Sequence, residues 1–191
     1  QIAASRANGR LRVDRWALGE SLALKAVNTS WRWLAESQIN VEPITAGLLG
    51  GAMRVDGIVT SLPITDISTE LSVENLSLEQ FAQTLDVPGL RAEGSINGGV
   101  GLVGEDGQWR LADGQFVAEN GRLQYRGAVA NAAVGEQANL AFDVLENFEY
   151  DSLTMSLEGV IGADQSARLR LVGRNPAVYD GYPVDLNINL S

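Results

Sequence analysis

Residues 184–190 read VDLNINL, an unbroken alternation of apolar and polar side chains. Successive side chains of a β-strand point to opposite faces of the sheet, so this pattern is typical of a strand with one apolar face. Residues 153–157 (LTMSL) and 168–171 (RLRL) alternate in the same way. Shorter alternating segments occur at residues 11–14, 21–26, 31–33, 69–73 and 109–112. The sequence therefore predicts a mainly β protein built from half-buried antiparallel strands.

Glycine-containing dipeptides that favour tight turns separate the alternating segments. The chain has 21 glycines and only 5 prolines, a composition that suits many strands joined by short connections. The turn dipeptides are Asn8-Gly9, Asp106-Gly107, Asp113-Gly114, Asn120-Gly121 and Asp180-Gly181. We therefore expect a meandering sheet with a turn at each of these dipeptides.

Two segments depart from the strand pattern and predict helices. Ser77 is a favourable N-cap, Gln80 completes a capping box with it, and Leu76 and Phe81 occupy the positions of a hydrophobic staple. These residues predict a first short helix over residues 78–85.

The second predicted helix runs from about Gln137 to Asn147, where apolar residues recur at helical spacing. Those apolar residues are Leu140, Ala141, Val144, Leu145 and Phe148. A bulged strand over the same residues is the alternative.

The absence of cysteine and histidine excludes whole classes of chemistry. Without cysteine the chain has no thiol nucleophile, disulfide or thiolate metal site. Without histidine it lacks the commonest general base and the commonest transition-metal ligand. The net charge of −10 opposes binding to nucleic acid and adsorption to anionic lipid headgroups. Hydrolysis by a pair of carboxylates and Ser-Lys chemistry stay open, but no two carboxylates have a spacing that indicates acid–base catalysis. We therefore expect no enzyme activity, no cofactor and no metal site, with a glycosidase as the last alternative, and any contact with lipid would involve acyl chains.

Three further patterns favour ordinary structure over a functional site. Residues 99–104 match GxGxxG, but strand-like residues follow them where a dinucleotide site needs a helix. The acidic residues of segment 143–151 alternate with apolar positions, as on a solvated face. A sugar-binding platform would need the aromatic residues Trp16, Trp31, Trp33, Trp109, Tyr125 and Tyr150. The alternative function is a carbohydrate-binding β-sandwich that uses these aromatic side chains as its platform, or a structural docking module.

A sheet with one apolar face must cover that face with another layer of protein or with a ligand. The two predicted helices are short and would cover only part of it. Acyl chains suit the remainder, since each buried CH₂ group contributes about 0.8 kcal/mol. A closed β-sandwich is the alternative, and the alternation does not distinguish it from an open groove. The residues predicted to line an apolar groove are Leu111, Phe116, Leu123, Tyr125, Leu153, Met155, Leu157, Leu169, Leu171, Leu186, Ile188 and Leu190.

Several unusual segments occur in order in the C-terminal half of the chain. Residues 173–190 read GRNPAVYDGYPVDLNINL, and residues 147–153 read NFEYDSL. Upstream, residues 87–94 read VPGLRAEG and residues 120–125 read NGRLQY. On these segments the chain resembles the C-terminal region of the YdbH family, which is similar to the wider AsmA-like and TamB-like group. The resemblance is strongest over residues 70–191.

The resemblance implies that residues 1–191 are a single β-rich segment of a longer protein in the periplasm of a Gram-negative bacterium, with its inner-membrane anchor outside this segment. It implies a curved, mostly antiparallel open sheet, groove-like in shape, with one or two short helices. That sheet would be part of a bridge for phospholipids between the inner and outer membranes, and it would hold their acyl chains.

The resemblance also implies a partner, a small outer-membrane lipoprotein. A partner strand can be added to an open sheet edge, where unpaired N–H and C=O groups accept another chain. The predicted edge is formed by Val184, Leu186, Ile188 and Leu190.

Overall fold

The computed structural model describes residues 8–18, 21–34, 37–63, 66–105, 107–126 and 142–190. These residues form an open 13-stranded antiparallel sheet and one helix of eight residues. The strands are β1 (Asn8–Ala17), β2 (Ala23–Trp33), β3 (Gln38–Val41), β4 (Ile44–Leu48), β5 (Gly51–Val55), β6 (Ile58–Ser61), β7 (Asp66–Ser77), β8 (Leu90–Glu93), β9 (Ser95–Glu105), β10 (Gln108–Tyr125), β11 (Phe148–Val160), β12 (Gln165–Arg174) and β13 (Val184–Leu190). The helix α1 (Leu78–Leu85) lies between β7 and β8.

The strands follow one another across the sheet in the order of the chain. Strands β3 and β4 act as one interrupted strand with β5 and β6 as its partner, since Ile44 pairs with Val55 and Val41 pairs with Ile58 in the same register. Pro43 lies at the interruption and has no N–H for a ladder hydrogen bond. The predicted meander is therefore confirmed, and alternation along each strand gives the sheet its two different faces.

Helix α1 and strand β8 are inserted between β7 and β9. Strands β8 and β9 pair with successive parts of β10 along the same edge. Gly94 joins them with a φ of 117°, and its carbonyl oxygen accepts a hydrogen bond from the Leu78 N–H at 3.1 Å. This bond fixes the start of α1 at one end of the sheet.

The prediction of the first helix is confirmed, with a change in its N-terminal hydrogen bonds. The Ser77 hydroxyl oxygen accepts a hydrogen bond from the Gln80 N–H at 3.2 Å, as expected of an N-cap. The Ser77 N–H, however, donates to the carbonyl oxygen of Leu49 at 2.9 Å, which ties the helix to the β4–β5 turn. Leu76 is buried, whereas Phe81 is 40 % exposed.

The second predicted helix, Gln137–Asn147, lies partly outside the described residues. Its described part is helical over residues 142–145, and the Glu146 N–H donates to the Phe142 carbonyl oxygen at 3.1 Å. Val144 and Leu145 are buried, as is Phe148, the first residue of β11. The helical periodicity thus identified the residues that this turn packs against the sheet.

Three of the predicted turns are wrong. Asp113-Gly114 and Asn120-Gly121 lie inside the long strand β10, and Asn8-Gly9 begins β1. The reason is conformational: Asp and Asn tolerate the left-handed region, which a β-bulge uses as well as a turn does. Asp113 has a φ of 53° and Asn120 one of 54°. Gly107 does lie in the β9–β10 turn, and Asp180-Gly181 lies in the short helical turn before β13.

Bulges interrupt the pairing of three strands. Ala26, Asn75 and Asp113 have positive φ values, and the pairing register shifts at each of them. A bulge bends its strand and increases the local twist. Their placement in β2, β7 and β10 distributes the bending across the sheet.

Candidate functional site

One face of the sheet carries continuous rows of apolar side chains that run across the strands, and we call it the apolar face. The longer row contains, from β13 to β4, Ile188, Leu169, Met155, Phe116, Gly98, Val73, Met53 and Ala46. The neighbouring row contains Leu186, Leu171, Leu153, Ala118, Ile96 and Leu76. Each residue pairs directly with the next one, so both rows are unbroken, and neither contains a charged residue.

The opposite face of the same strands carries charged side chains. Arg170 of β12 donates hydrogen bonds to both carboxylate oxygens of Asp185 in β13, the shortest at 2.7 Å. Arg122 and Glu149 form a second ion pair at 3.1 Å. The hydrogen bond from Arg170 lowers the pKa of Asp185. Both groups are solvated, so this pair adds little stability and chiefly marks the solvent side of the sheet.

Protein covers the apolar face along one margin. Leu78 and Ala82 of α1, together with the helical turn at residues 142–145, belong to the same buried apolar cluster as the adjacent strand residues. The covered margin comprises Phe148, Tyr150, Leu153 and Leu171. Phe148 and Leu171 are 0 % exposed. This margin is therefore a conventional closed core.

A buried asparagine ties the covering turn to the strands. The Asn175 side-chain amide, after β12, donates to the carbonyl oxygens of Asp143 at 3.1 Å and Val144 at 3.0 Å. Its side-chain oxygen accepts a hydrogen bond from the Ala177 N–H at 2.9 Å. Asn175 is 2 % exposed, so these bonds replace those it would make with water. They hold the turn over the covered margin.

Tyr150 crosses the covered margin to reach β8. Its hydroxyl donates to the Glu93 carbonyl oxygen at 2.7 Å, and its ring passes over Gly121 and Gly94. A Cβ atom at either glycine would collide with the Tyr150 hydroxyl, so the crossing requires glycine at both positions. Burial, and then the charge of Glu93, raise the pKa of Tyr150 above its ordinary value.

Farther along the same strands the apolar side chains keep part of their surface in solvent. This open margin comprises Leu111, Met155, Leu157, Leu169 and Ile188. Along β11 the exposed fraction is 0 % at Phe148 and 5 % at Leu153, whereas Met155 and Leu157 are only half-buried. The open margin can therefore bury further apolar area against another molecule.

The structure brings the residues predicted for the groove onto one surface. Phe116, Leu153 and Leu171 are buried in the cluster of the apolar face. The half-buried residues of the same cluster include Leu111, Leu123, Tyr125, Met155, Leu157, Leu169, Leu186 and Ile188. Leu190 pairs through its backbone with Ala167, while its side chain lies outside the described part. Of the predicted edge, Val184 packs against the same cluster as Leu186 and Ile188.

Sequence reasoning missed the part of the apolar face that lies on β4 to β9. Its missed residues include Ala46, Met53, Val73, Ile96 and Val100. In β9, glycines occupy several positions and hide the alternation, since residues 95–105 read SINGGVGLVGE. The alternation at residues 69–73 was visible and could have added Leu71 and Val73.

The alternative sites do not assemble in the described residues. Trp16 lies on β1, Trp31 and Trp33 on β2, and Trp109 on β10, several strands away. Tyr150 is buried, so it is not available to a sugar platform. No group of three or more Asp or Glu side chains in the described ranges is placed to hold a metal ion. The GxGxxG segment lies within β9 and is followed by β10.

Comparison with known proteins gives one match. The family model described as "YdbH-like: Intermembrane phospholipid transport protein YdbH" matches residues 3–191. Searches of curated proteins and of solved structures found no match. Within the described ranges, every helix is too short or too polar to span a bilayer.

Proposed function

The chain belongs to the YdbH-like family of intermembrane phospholipid transport proteins, and from that premise we propose that its apolar face holds the acyl chains of phospholipids in transit. The observation that supports this most is the unbroken row from Ile188 to Ala46 across the strands. A lipid could move along that row from strand to strand without leaving an apolar surface. This segment would then form one stretch of a periplasmic bridge between the inner and outer membranes.

The energetics favour acyl chains at the open margin. Each CH₂ group that leaves water for an apolar surface contributes about 0.8 kcal/mol. The open margin is half-buried and uncharged, whereas the opposite face carries the ion pairs. Lipid tails would therefore lie against Met155, Leu157 and Leu169, with the headgroup toward solvent. The covered margin would form one wall.

Binding of acyl chains would account for the open margin without a catalytic step, so none is proposed. The family is one of lipid transport proteins. The apolar face would lower the cost of moving acyl chains through an aqueous compartment. Energy for directional movement would come from elsewhere.

We extend the proposal to a partner at the C-terminal edge, the small outer-membrane lipoprotein that the family resemblance implies. In the described part of the sheet β13 is an end strand that pairs with β12 alone. One side of its backbone therefore presents N–H and C=O groups to which a partner strand can bond. An added strand at Val184, Leu186 and Ile188 would prolong the apolar rows.

The lipid proposal is tested by comparing two substitutions in adjacent residues of β11. Leu157→Glu places a carboxylate on the open margin, and Ser156→Glu places the same charge on the polar face of the same strand. We expect purified wild-type chain and Ser156→Glu to carry phospholipid, detected by native mass spectrometry followed by lipid extraction. Leu157→Glu should lose most of it while retaining its circular dichroism spectrum.

A photo-crosslinking residue gives an independent measurement of contact. Placed at Leu157 or Ile188, it should capture phospholipid in the periplasm, and placed at Ser156 it should not. Equal capture from both faces, or a stably folded chain free of lipid, would contradict the proposal.

A further inference from the structure

Strands β1 and β2 carry an unusual share of the positive charge. They contain five of the 14 Lys and Arg residues of the chain but only one of its 24 Asp and Glu residues. The five cations, which we call the basic patch, are Arg10, Arg12, Arg15, Lys25 and Arg32. The net charge of −10 therefore conceals a local excess of positive charge at this end of the sheet.

Part of the basic patch lies on the side of the sheet opposite the apolar face. Val13 packs against the small buried cluster that contains Val27. Arg10 and Arg12 alternate with Val13 and so lie on the other face. They pair across the strands with the neutral residues Ser30 and Asn28. Both arginines are exposed.

Most of these cations lack an anionic partner within the described residues. Only Arg32 forms an ion pair there, with Glu42 at 3.6 Å. Arg15 lies directly opposite Lys25, a cross-strand pair of like charges that is unfavourable in the isolated sheet. A bound anion would relieve this repulsion.

A concavity in the same surface offers hydrogen-bond donors to an anion. Its volume is about 430 Å³, and its lining includes Asn8, Arg10, Ser30, Arg32 and Glu42. A guanidinium group can donate two parallel hydrogen bonds to phosphate oxygens, and a serine hydroxyl can add another. Glu42 offsets one of the two guanidinium charges, which leaves Arg10 to attract the anion.

We propose that the basic patch docks the chain on membrane surfaces that contain anionic phospholipid headgroups. Family membership places phospholipid membranes, rather than nucleic acid, within reach of the chain. Charge complementarity supplies the attraction, since juxtaposed cations gain binding energy at an anionic surface. Docking through the basic patch does not depend on what the apolar face carries, because the two surfaces are different. Either proposal can therefore fail alone.

Sedimentation with vesicles tests the docking surface. The full chain should bind vesicles of phosphatidylglycerol mixed with phosphatidylcholine and should not bind vesicles of phosphatidylcholine alone. Binding should fall steeply as the salt concentration rises from about 0.05 M to about 0.5 M, because added ions screen exposed charges. The triple variant Arg10→Gln, Arg12→Gln and Arg15→Gln should bind at least about tenfold more weakly, as expected for the loss of three cations near an anionic surface.

A second triple variant controls for net charge. Arg91→Gln, Arg110→Gln and Arg168→Gln removes three exposed arginines from β8, β10 and β12 and produces the same net charge. We expect this control to bind within about twofold of wild type, because its charges lie outside the basic patch. Equal weakening in both triple variants would overturn the assignment of the patch, and absence of vesicle binding by wild type would overturn the proposal.

A polyanion distinguishes a membrane from an acidic protein partner. If soluble poly-glutamate bound wild type but not the Arg10, Arg12 and Arg15 variant, while vesicles failed to bind, the patch would be a protein interface and the membrane proposal would be wrong. Displacement from vesicles by inorganic phosphate at low concentration would likewise overturn docking on an extended surface.

Discussion

At the scale of single residues, Tyr150 is the side chain that links the covered margin to strand β8. It is 2 % exposed and spans from β11 to the Glu93 carbonyl oxygen of β8 at 2.7 Å. No shorter side chain could make this bond across the intervening strand β10. The ring explains the glycine at position 121, whereas at position 94 both the Tyr150 hydroxyl and the positive φ of 117° favour glycine.

Tyr150→Phe should lower the free energy of unfolding by about 1–2 kcal/mol, because it removes this partly buried hydrogen bond. Urea unfolding followed by circular dichroism measures the change. Tyr182→Phe is the matched control, since Tyr182 is 70 % exposed. A similar loss in both variants would contradict the role given to Tyr150.

The raised pKa of Tyr150 adds a pH dependence with a definite sign. The unfolded chain loses the phenolic proton near the ordinary pKa of about 10, whereas the folded chain retains it to higher pH. This contribution to stability is therefore fully present below pH 10 and declines as the pH rises through the folded-state pKa. Tyr150→Phe should lose less stability than wild type over that alkaline range.

At the scale of elements, strand β13 is an end strand of the described sheet and pairs with β12 alone. Its neutral polar residues Asn187 and Asn189 alternate with apolar residues, and its ladder with β12 runs from Val184 to Leu190. Successive N–H groups of a strand point to opposite sides, so those of Asn187 and Ile188 point in opposite directions. One of the two is bonded to β12 and the other is directed to the outer side.

Proline substitution at these two neighbours separates folding from partner binding. Whichever of Asn187→Pro and Ile188→Pro removes the outward N–H should leave the unfolding midpoint nearly unchanged and abolish capture of the proposed lipoprotein partner. The other should destabilise the β12–β13 pair, because it removes a ladder hydrogen bond. Thermal unfolding and co-purification from envelope extracts measure the two effects. Undiminished capture by both folded variants would rule out strand addition at this edge.

How far the elements could be predicted depended on how local their signals are. The Ser77 cap and the alternation in residues 184–190 act within a few residues, and both predictions are confirmed. The bulges at Asp113 and Asn120 were mistaken for turns because the left-handed conformation is the same in both cases. Whether the chain reverses there depends on the pairing of β10 with β9 and β11, which is a non-local property.

The residues of the candidate site were likewise predictable only where their signal is local in the sequence. The alternation along the strands was enough to predict that Leu153, Leu169 and Ile188 share one face. It could not tell that Leu171 is fully covered while Leu157 is half-exposed, because the covering α1 and residues 142–145 are far away in sequence. The continuation of the rows onto β4 to β9 was equally hidden, since it depends on which strands are neighbours.

At the scale of the whole molecule, the two margins of the apolar face should respond differently to the same change. Leu171→Ala in lipid-free protein should cost about 2–5 kcal/mol of unfolding free energy, because it leaves a cavity in a closed core. Leu157→Ala should cost about 1 kcal/mol, because part of that side chain already contacts solvent. Urea unfolding of the delipidated variants measures both.

Bound phospholipid should reduce the difference between the stability costs of Leu171→Ala and Leu157→Ala, since a ligand that binds only the folded chain adds to its stability. With phospholipid bound, Leu157→Ala should lose more stability relative to wild type than it does without lipid, whereas the cost of Leu171→Ala should stay constant. If both leucines cost several kcal/mol in the absence of lipid, the open margin would be a closed core instead.

The order of the strands has a consequence for how such a protein can change in length. If β3 and β4, β5 and β6, and β8 and β9 are each counted as one interrupted strand, every strand of the described sheet pairs with the strands that precede and follow it in the chain. A hairpin can therefore be inserted at a turn between two strands, and only those two flanking strands change their neighbours. Each strand adds about 4.8 Å to the width of the sheet. The width of the apolar surface can thus change in small, regular increments when hairpins are duplicated.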